Sequence, residues 1–240
     1  MPFHPPTQFG KSIDLTTQIY RLKESEQVPE NVYQNFIRYH SSLIHKLKSA
    51  QFNLDSFKNK FTDTKIEDTA SSDFMFEVNM FIDGFFYNAG STLDILARVV
   101  LTSFGQVLPR YIKFKTAYEI LNEQKPGDPI LPLLVQDWFD QFSNYRNALT
   151  HEIILAPDCH IEIAYTGNIP LPDEAPIDPP YKIVIPLPDN PRADRAERTT
   201  EEHPDGLKYL EEHFALILQT ANLIYGNISD RAEQNGQLPL

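Results

Sequence analysis

Within six residues, Arg146-Asn147-Ala148-Leu149-Thr150-His151, the chain brings together a guanidinium, a carboxamide and an imidazole. Such groups hold a phosphate, orient it, and move protons near neutral pH. The apolar pattern that carries them runs from Leu131 and stops just past His151, where Ala156-Pro157-Asp158 favours a turn. At about 100° per residue, Leu131, Leu134, Trp138, Phe142, Tyr145 and Leu149 share one face of a single predicted helix. Asp140, Asn144, Asn147 and His151 line the opposite side. Asn147 and His151 are i,i+4 neighbours able to share one ligand. Arg146 stands about 140° from His151 around the axis, so its length or a distorted helix end must bring it to the same phosphate. The negative end of the helix dipole favours the imidazolium form of His151. The plainer expectation is a solvated helix end, with Arg146 pairing Asp140 or Glu152 and His151 capping carbonyls.

The elements that must position these groups are mostly helical. Pro29 and Glu30 open a helix whose apolar residues Val32, Phe36, Tyr39, Leu43 and Leu47 recur at three- and four-residue steps. Phe57 and Phe61 extend or restart that pattern. A second helix, predicted over 73–103 and stopped by Gly105, is apolar almost all round, as befits the centre of a bundle. Its polar and small residues, among them Glu77, Gly84, Asn88 and Ser91, form one stripe. That stripe suits close helix packing, or places Glu77 or Asn88 behind the motif. A third helix over 111–123 ends before the breaker Lys125-Pro126-Gly127-Asp128-Pro129. The last helix, over 206–232, repeats Leu207, Leu210, Phe214, Ile217, Ala221 and Ile224 and closes the bundle.

Residues 157–204 differ in kind, holding 10 of the 19 prolines. The alternating runs His160–Tyr165 and Tyr181–Pro186 predict a β-hairpin with a long Pro-rich loop, able to cover the motif or to serve as a surface ornament. The expected organisation is an N-terminal extension over 1–27, frayed at its end, a bundle core over 28–156, the hairpin insertion over 157–204, and a closing helix and tail over 205–240.

Arg-Asn-x-x-x-His at the end of a bundle helix resembles the Arg-x4-6-His motif of the HEPN superfamily (higher eukaryotes and prokaryotes nucleotide-binding). In that motif the residue after Arg is commonly polar, and Asn147 matches. The resemblance covers the helices of about residues 30–155 and the last helix. It implies an all-α, up-and-down bundle of four to five helices. It also implies a homodimer with two motifs facing across the two-fold axis, and metal-independent endoribonuclease activity carried by Arg146, Asn147 and His151. The alternative it implies is a non-catalytic module that binds RNA, a nucleotide or a protein. In a toxin branch of the superfamily a Tyr follows two residues after the His. Ile153 stands there in this chain, so that mode of regulation is not carried over. The matching spacing Arg198 to His203 lies in a Pro- and charge-rich segment with no amide after the Arg and no apolar stripe, and is read as coincidence.

Composition narrows the alternatives. The single Cys159 excludes an intrachain disulfide and suits a reducing compartment. No long uncharged apolar run and no signal-peptide pattern is present, so a soluble cytoplasmic protein is expected, with no membrane partner. The net charge of −12 falls entirely on residues 126–240, whereas 11–125 is balanced. Binding to duplex DNA is not expected on that balance, and the acidic half suits a basic, antitoxin-like protein partner. Gly-rich phosphate loops, His-Glu-x-x-His, Gly-x-Ser-x-Gly and Glu-x-x-His pairs are all missing. Asp158, Cys159, His160 and Glu162 crowd together, but strand alternation splits them between two faces, so neither metal nor cofactor is expected.

Overall fold

A computed structural model describes residues 9–63, 71–151, 160–163, 181–191 and 205–235. These form six α-helices in the order α1 (Lys11–Glu24), α2 (Glu30–Asp63), α3 (Ser72–Ser103), α4 (Phe114–Gln124), α5 (Trp138–His151) and α6 (Gly206–Asn235). A 3₁₀ turn at Leu131–Leu134 precedes α5. Two short strands, β1 (His160–Ile163) and β2 (Tyr181–Val184), pair antiparallel with His160 opposite Val184. The molecule is predominantly helical. No helix among the described residues is long and apolar enough to cross a membrane.

Helix α3 is the axis of the bundle. Ser71 caps its start by accepting the Phe74 N–H at 3.1 Å, one of the first-turn donors that lack a helical partner. Its end is set by Gly105, whose φ of 65° lets the Gln106 N–H reach back to the Leu101 carbonyl at 2.9 Å. Between these points Val78, Ile82, Phe85, Phe86, Ala89, Leu96 and Val100 are fully buried. The all-round apolar sequence is therefore explained by neighbours on several sides. Helix α2 runs antiparallel beside α3, with Lys46 Nζ donating to Asn88 Oδ1 at 3.0 Å midway along both and Lys60 paired with Glu77 where α2 ends and α3 begins. It is continuous through Phe57.

Residues 11–24, expected as part of an N-terminal extension, are a helix of the bundle. Leu15, Ile19 and Leu22 bury one face of α1, and Phe9, just before it, packs edge-on against Tyr225 at 4.8 Å. His40 of α2 joins three helices, with its Nε2 3.3 Å from Thr16 Oγ1 and its Nδ1 3.1 Å from Tyr225 Oη. Burial pushes the imidazole down to about 4.

The segment before α5 also departs from expectation. The predicted single helix from Leu131 is broken: Leu131–Leu134 is 3₁₀, Val135–Asp137 is irregular, and α5 starts at Trp138. Pro132, lacking an N–H, is tolerated in a first turn but not inside a continuing helix. Leu131 and Leu134 are buried all the same.

The return from β2 to α6 is integral to the core. Val184, Ile185 and Leu187 are buried, the Gly206 N–H donates to the Ile185 carbonyl at 2.8 Å, and Tyr145 Oη of α5 donates to the Pro188 carbonyl at 2.6 Å. The expected strand residues Ala164 and Tyr165, the Pro-rich loop, and Arg198 and His203 lie outside the described residues.

Candidate functional site

Helix α5 lays its apolar side into an aromatic cluster. Phe142 and Tyr145 are buried against Phe86 of α3, with ring centroids 5.2 and 5.6 Å away, and Tyr145 meets Tyr209 of α6 at 5.0 Å. Burial first, and the neighbouring Asp189 charge second, push the Tyr145 phenol up, so it stays a hydrogen-bond donor. This packing fixes the rotation of α5, and the rotation decides where the motif residues go.

Two of them go to a groove of about 850 Å³ between α3, α4 and the polar side of α5. Arg146 and Asn147 line it together with Asn144 and Asp140, so three of the four residues of the predicted polar stripe share one open space. Arg146 and Asn147 are both partly buried. His151 is the last residue of α5, and its side chain lies outside the described residues.

Arg146 reaches the groove across α3. Its Nη1 donates to Asp94 Oδ2 at 2.9 Å, with 26% and 29% of the two side chains exposed. Gly90, one turn before Asp94, makes this path possible. A Cβ at that position would collide with Arg146 Cδ and lie 2.6 Å from Nε. Burial raises the Asp94 carboxyl above its ordinary range, and the Arg146 charge and hydrogen bond pull it back, helped by Lys113 and Arg98.

This geometry adds one partnership and corrects one expectation. Arg146 pairs with Asp94, a partner not foreseen; Glu152 lies outside the described residues. Glu77 and Asn88 do not back the motif: Glu77 pairs with Lys60 and Asn88 receives Lys46. Helical rotation places the Glu77 and Asn88 stripe toward α2 and leaves Gly90 and Asp94 toward α5. Sequence reading missed both of these residues. The available signal was a lone carboxylate inside Leu93-Asp94-Ile95-Leu96, one turn after the buried Gly90.

The remaining lining supplies charge and aromatic surface. Lys113 stands at the cap position of α4 and Lys115 in its first turn, both exposed, while Phe114 stacks on Phe139 at 4.8 Å. A guanidinium held by a carboxylate, two amides and two lysines can receive a phosphate oxygen and fix its orientation. Among the described residues no group of three or more His, Cys, Asp or Glu is arranged to hold a metal ion. Asp158 and Cys159, and the side chains of His160 and Glu162, lie outside the described residues. Searches against protein-family models, curated proteins and solved structures return no match for this chain.

Proposed function

We propose that this chain is a HEPN-like protein that receives a phosphate of RNA or of a nucleotide in the α3–α4–α5 groove and cleaves RNA there without a metal. The observation that carries the reading is that Arg146 and Asn147 open onto one groove, with Arg146 already oriented by Asp94. Asn147 orients a non-bridging oxygen, and Arg146 offsets the charge that grows on the phosphorane. The ribose 2′-OH attacks the adjacent phosphorus, the new 2′-O–P bond forms, and the P–O5′ bond breaks. A base takes the 2′ proton and an acid protonates the departing 5′-oxygen. His151 supplies this proton chemistry, with a second His151 from a two-fold partner completing the acid–base pair. The products are a 2′,3′-cyclic phosphate and a 5′-OH end.

Incubation of single-stranded RNA with the protein in EDTA tests this, with products analysed for cyclic phosphate ends. Arg146→Ala and His151→Ala should both abolish cleavage. Loss of cleavage in chelator, or full activity in His151→Ala, rejects the mechanism. Mass measurement in solution checks the dimer.

A second reading is a binding module without turnover. The Asp94 carboxylate on Arg146 favours it, because the charge most useful to a phosphorane is partly offset in the resting groove. The acidic C-terminal half would then suit a basic protein partner. Growth on induction separates the two readings, since only the nuclease should be toxic in a His151-dependent way.

A further inference from the structure

The groove is not a basic track. Of the described residues lining it, Lys113, Lys115 and Arg146 are cationic, whereas Asp94, Glu119, Asp137 and Asp140 are anionic. Five of these seven are exposed, leaving Asp94 and Arg146 as the partly buried pair at the groove wall. Their contact makes the guanidinium and its carboxylate close to neutral together. Gly90 adds a positional constraint, since the Arg146 side chain lies over the α3 backbone where a Cβ would otherwise stand. The cation is held at one place instead of sweeping the groove.

We infer that the groove selects an internal phosphodiester, which carries one negative charge, over terminal phosphates and polyphosphates, and that Asp94 makes the selection. This rests on the reading of the groove as a phosphate site and goes beyond it by naming the charge state admitted. A diester adds only one charge to a nearly neutral pair, and Lys113 and Lys115 soften its repulsion by Glu119, Asp137 and Asp140. A terminal phosphate carries close to two charges near neutrality, and a triphosphate carries more. The additional charge meets Asp94 and the carboxylates across the groove, and like charges brought together suppress the wrong partner. Asp94 is thus a specificity residue acting through Arg146. It fixes the arginine and limits the anion that the arginine accepts.

Titration calorimetry of the full chain at fixed ionic strength tests this with two probes, the dinucleoside monophosphate UpU and uridine 5′-triphosphate. The wild type should bind UpU about tenfold more tightly. Asp94→Asn keeps an oxygen for the Arg146 N–H but removes the charge. It should strengthen binding of both probes, and of the triphosphate much more, so that the preference shrinks toward unity. A wild type that binds the triphosphate as tightly as UpU overturns the inference, even where the variant fails to fold. An unchanged preference in folded Asp94→Asn overturns it too. A different result, binding of both probes unaffected by Arg146→Ala, rejects the groove itself as the phosphate site.

Discussion

Two arginine–carboxylate pairs in this molecule use the same chemistry for different ends. Arg231 of α6 grips Asp128 with both prongs, at 2.6 and 2.8 Å, while Asp128 also accepts the Ile130 N–H at 2.9 Å. The Asp128 side chain is 9% exposed, and Arg231 lies over the Phe104 ring. Burial works to raise this carboxyl, but the Arg231 bond, the Ile130 N–H and nearby cations together hold it below the ordinary range. Arg146 donates to Asp94 at 2.9 Å beside an open groove, and burial wins over the arginine, leaving that carboxyl raised. The first pair fastens the α4–α5 connection to α6. The second holds a cation ready beside open space, where its partner is poorly stabilised. A bidentate pair shielded from water is a staple, whereas a carboxylate raised by burial beside an open groove is a position that a ligand can exploit.

The largest effect that separates the two is on stability. Arg231→Ala leaves the largely buried Asp128 side chain without its partner and should cost about 3 kcal/mol in urea unfolding, with phosphate binding by the remaining folded protein unchanged. Arg146→Ala should do the reverse. It is expected to weaken UpU binding by tenfold to a hundredfold, about 1.5–3 kcal/mol, while unfolding shifts by about 1 kcal/mol, well below the Arg231→Ala effect. Gly90→Ala should follow Arg146→Ala in calorimetry although it changes no charge. If Gly90→Ala binds normally, the account of how Arg146 is placed is wrong.

Acid gives the next effect. His40 is neutral in the fold, with its pKa near 4 against 6.5 when free, so unfolded chains take up a proton that folded ones do not. Its stabilisation is complete above pH 6.5 and is lost as pH falls toward 4. Asp128, lowered in the fold, likewise loses its contribution as pH falls, whereas Asp94, raised in the fold, becomes less of a burden. Between pH 7 and 5 the His40 share is about 1–2 kcal/mol. Thermal unfolding should show that slope in the wild type and in Arg146→Ala, and a flatter one in His40→Gln. The smallest effect is Tyr145→Phe, which removes the donor to the Pro188 carbonyl and should cost about 1 kcal/mol without altering binding.

What the sequence revealed followed from local pattern. Helices α2, α3 and α6 were legible because each carries several turns of apolar repeat, and the Pro-Gly breaker before Pro129 placed the end of α4. Helix α1 was legible in principle through Leu15, Ile19 and Leu22, but the prolines around it drew the reading toward an extension. The start of α5 was misplaced because Leu131 and Leu134 are buried for reasons other than helical phase. At the site, the polar stripe Asp140, Asn144 and Asn147 was readable and does share one groove. The Asp94 partnership was not, since it joins residues 52 positions apart and depends on how α5 rotates against Phe86. Periodicity specifies which face of a helix is apolar; it does not specify which residue of a neighbouring helix that rotation will meet.

The buried return from β2 to α6 has a practical consequence. Val184, Ile185 and Leu187, together with the long apolar side of α6, give the C-terminal part of the chain a large hydrophobic grip on the rest. Two separately expressed pieces, residues 1–163 and 181–240, should therefore reassociate without a peptide link. A scission of the backbone between them would provide a two-fragment reporter whose signal reads assembly of the bundle.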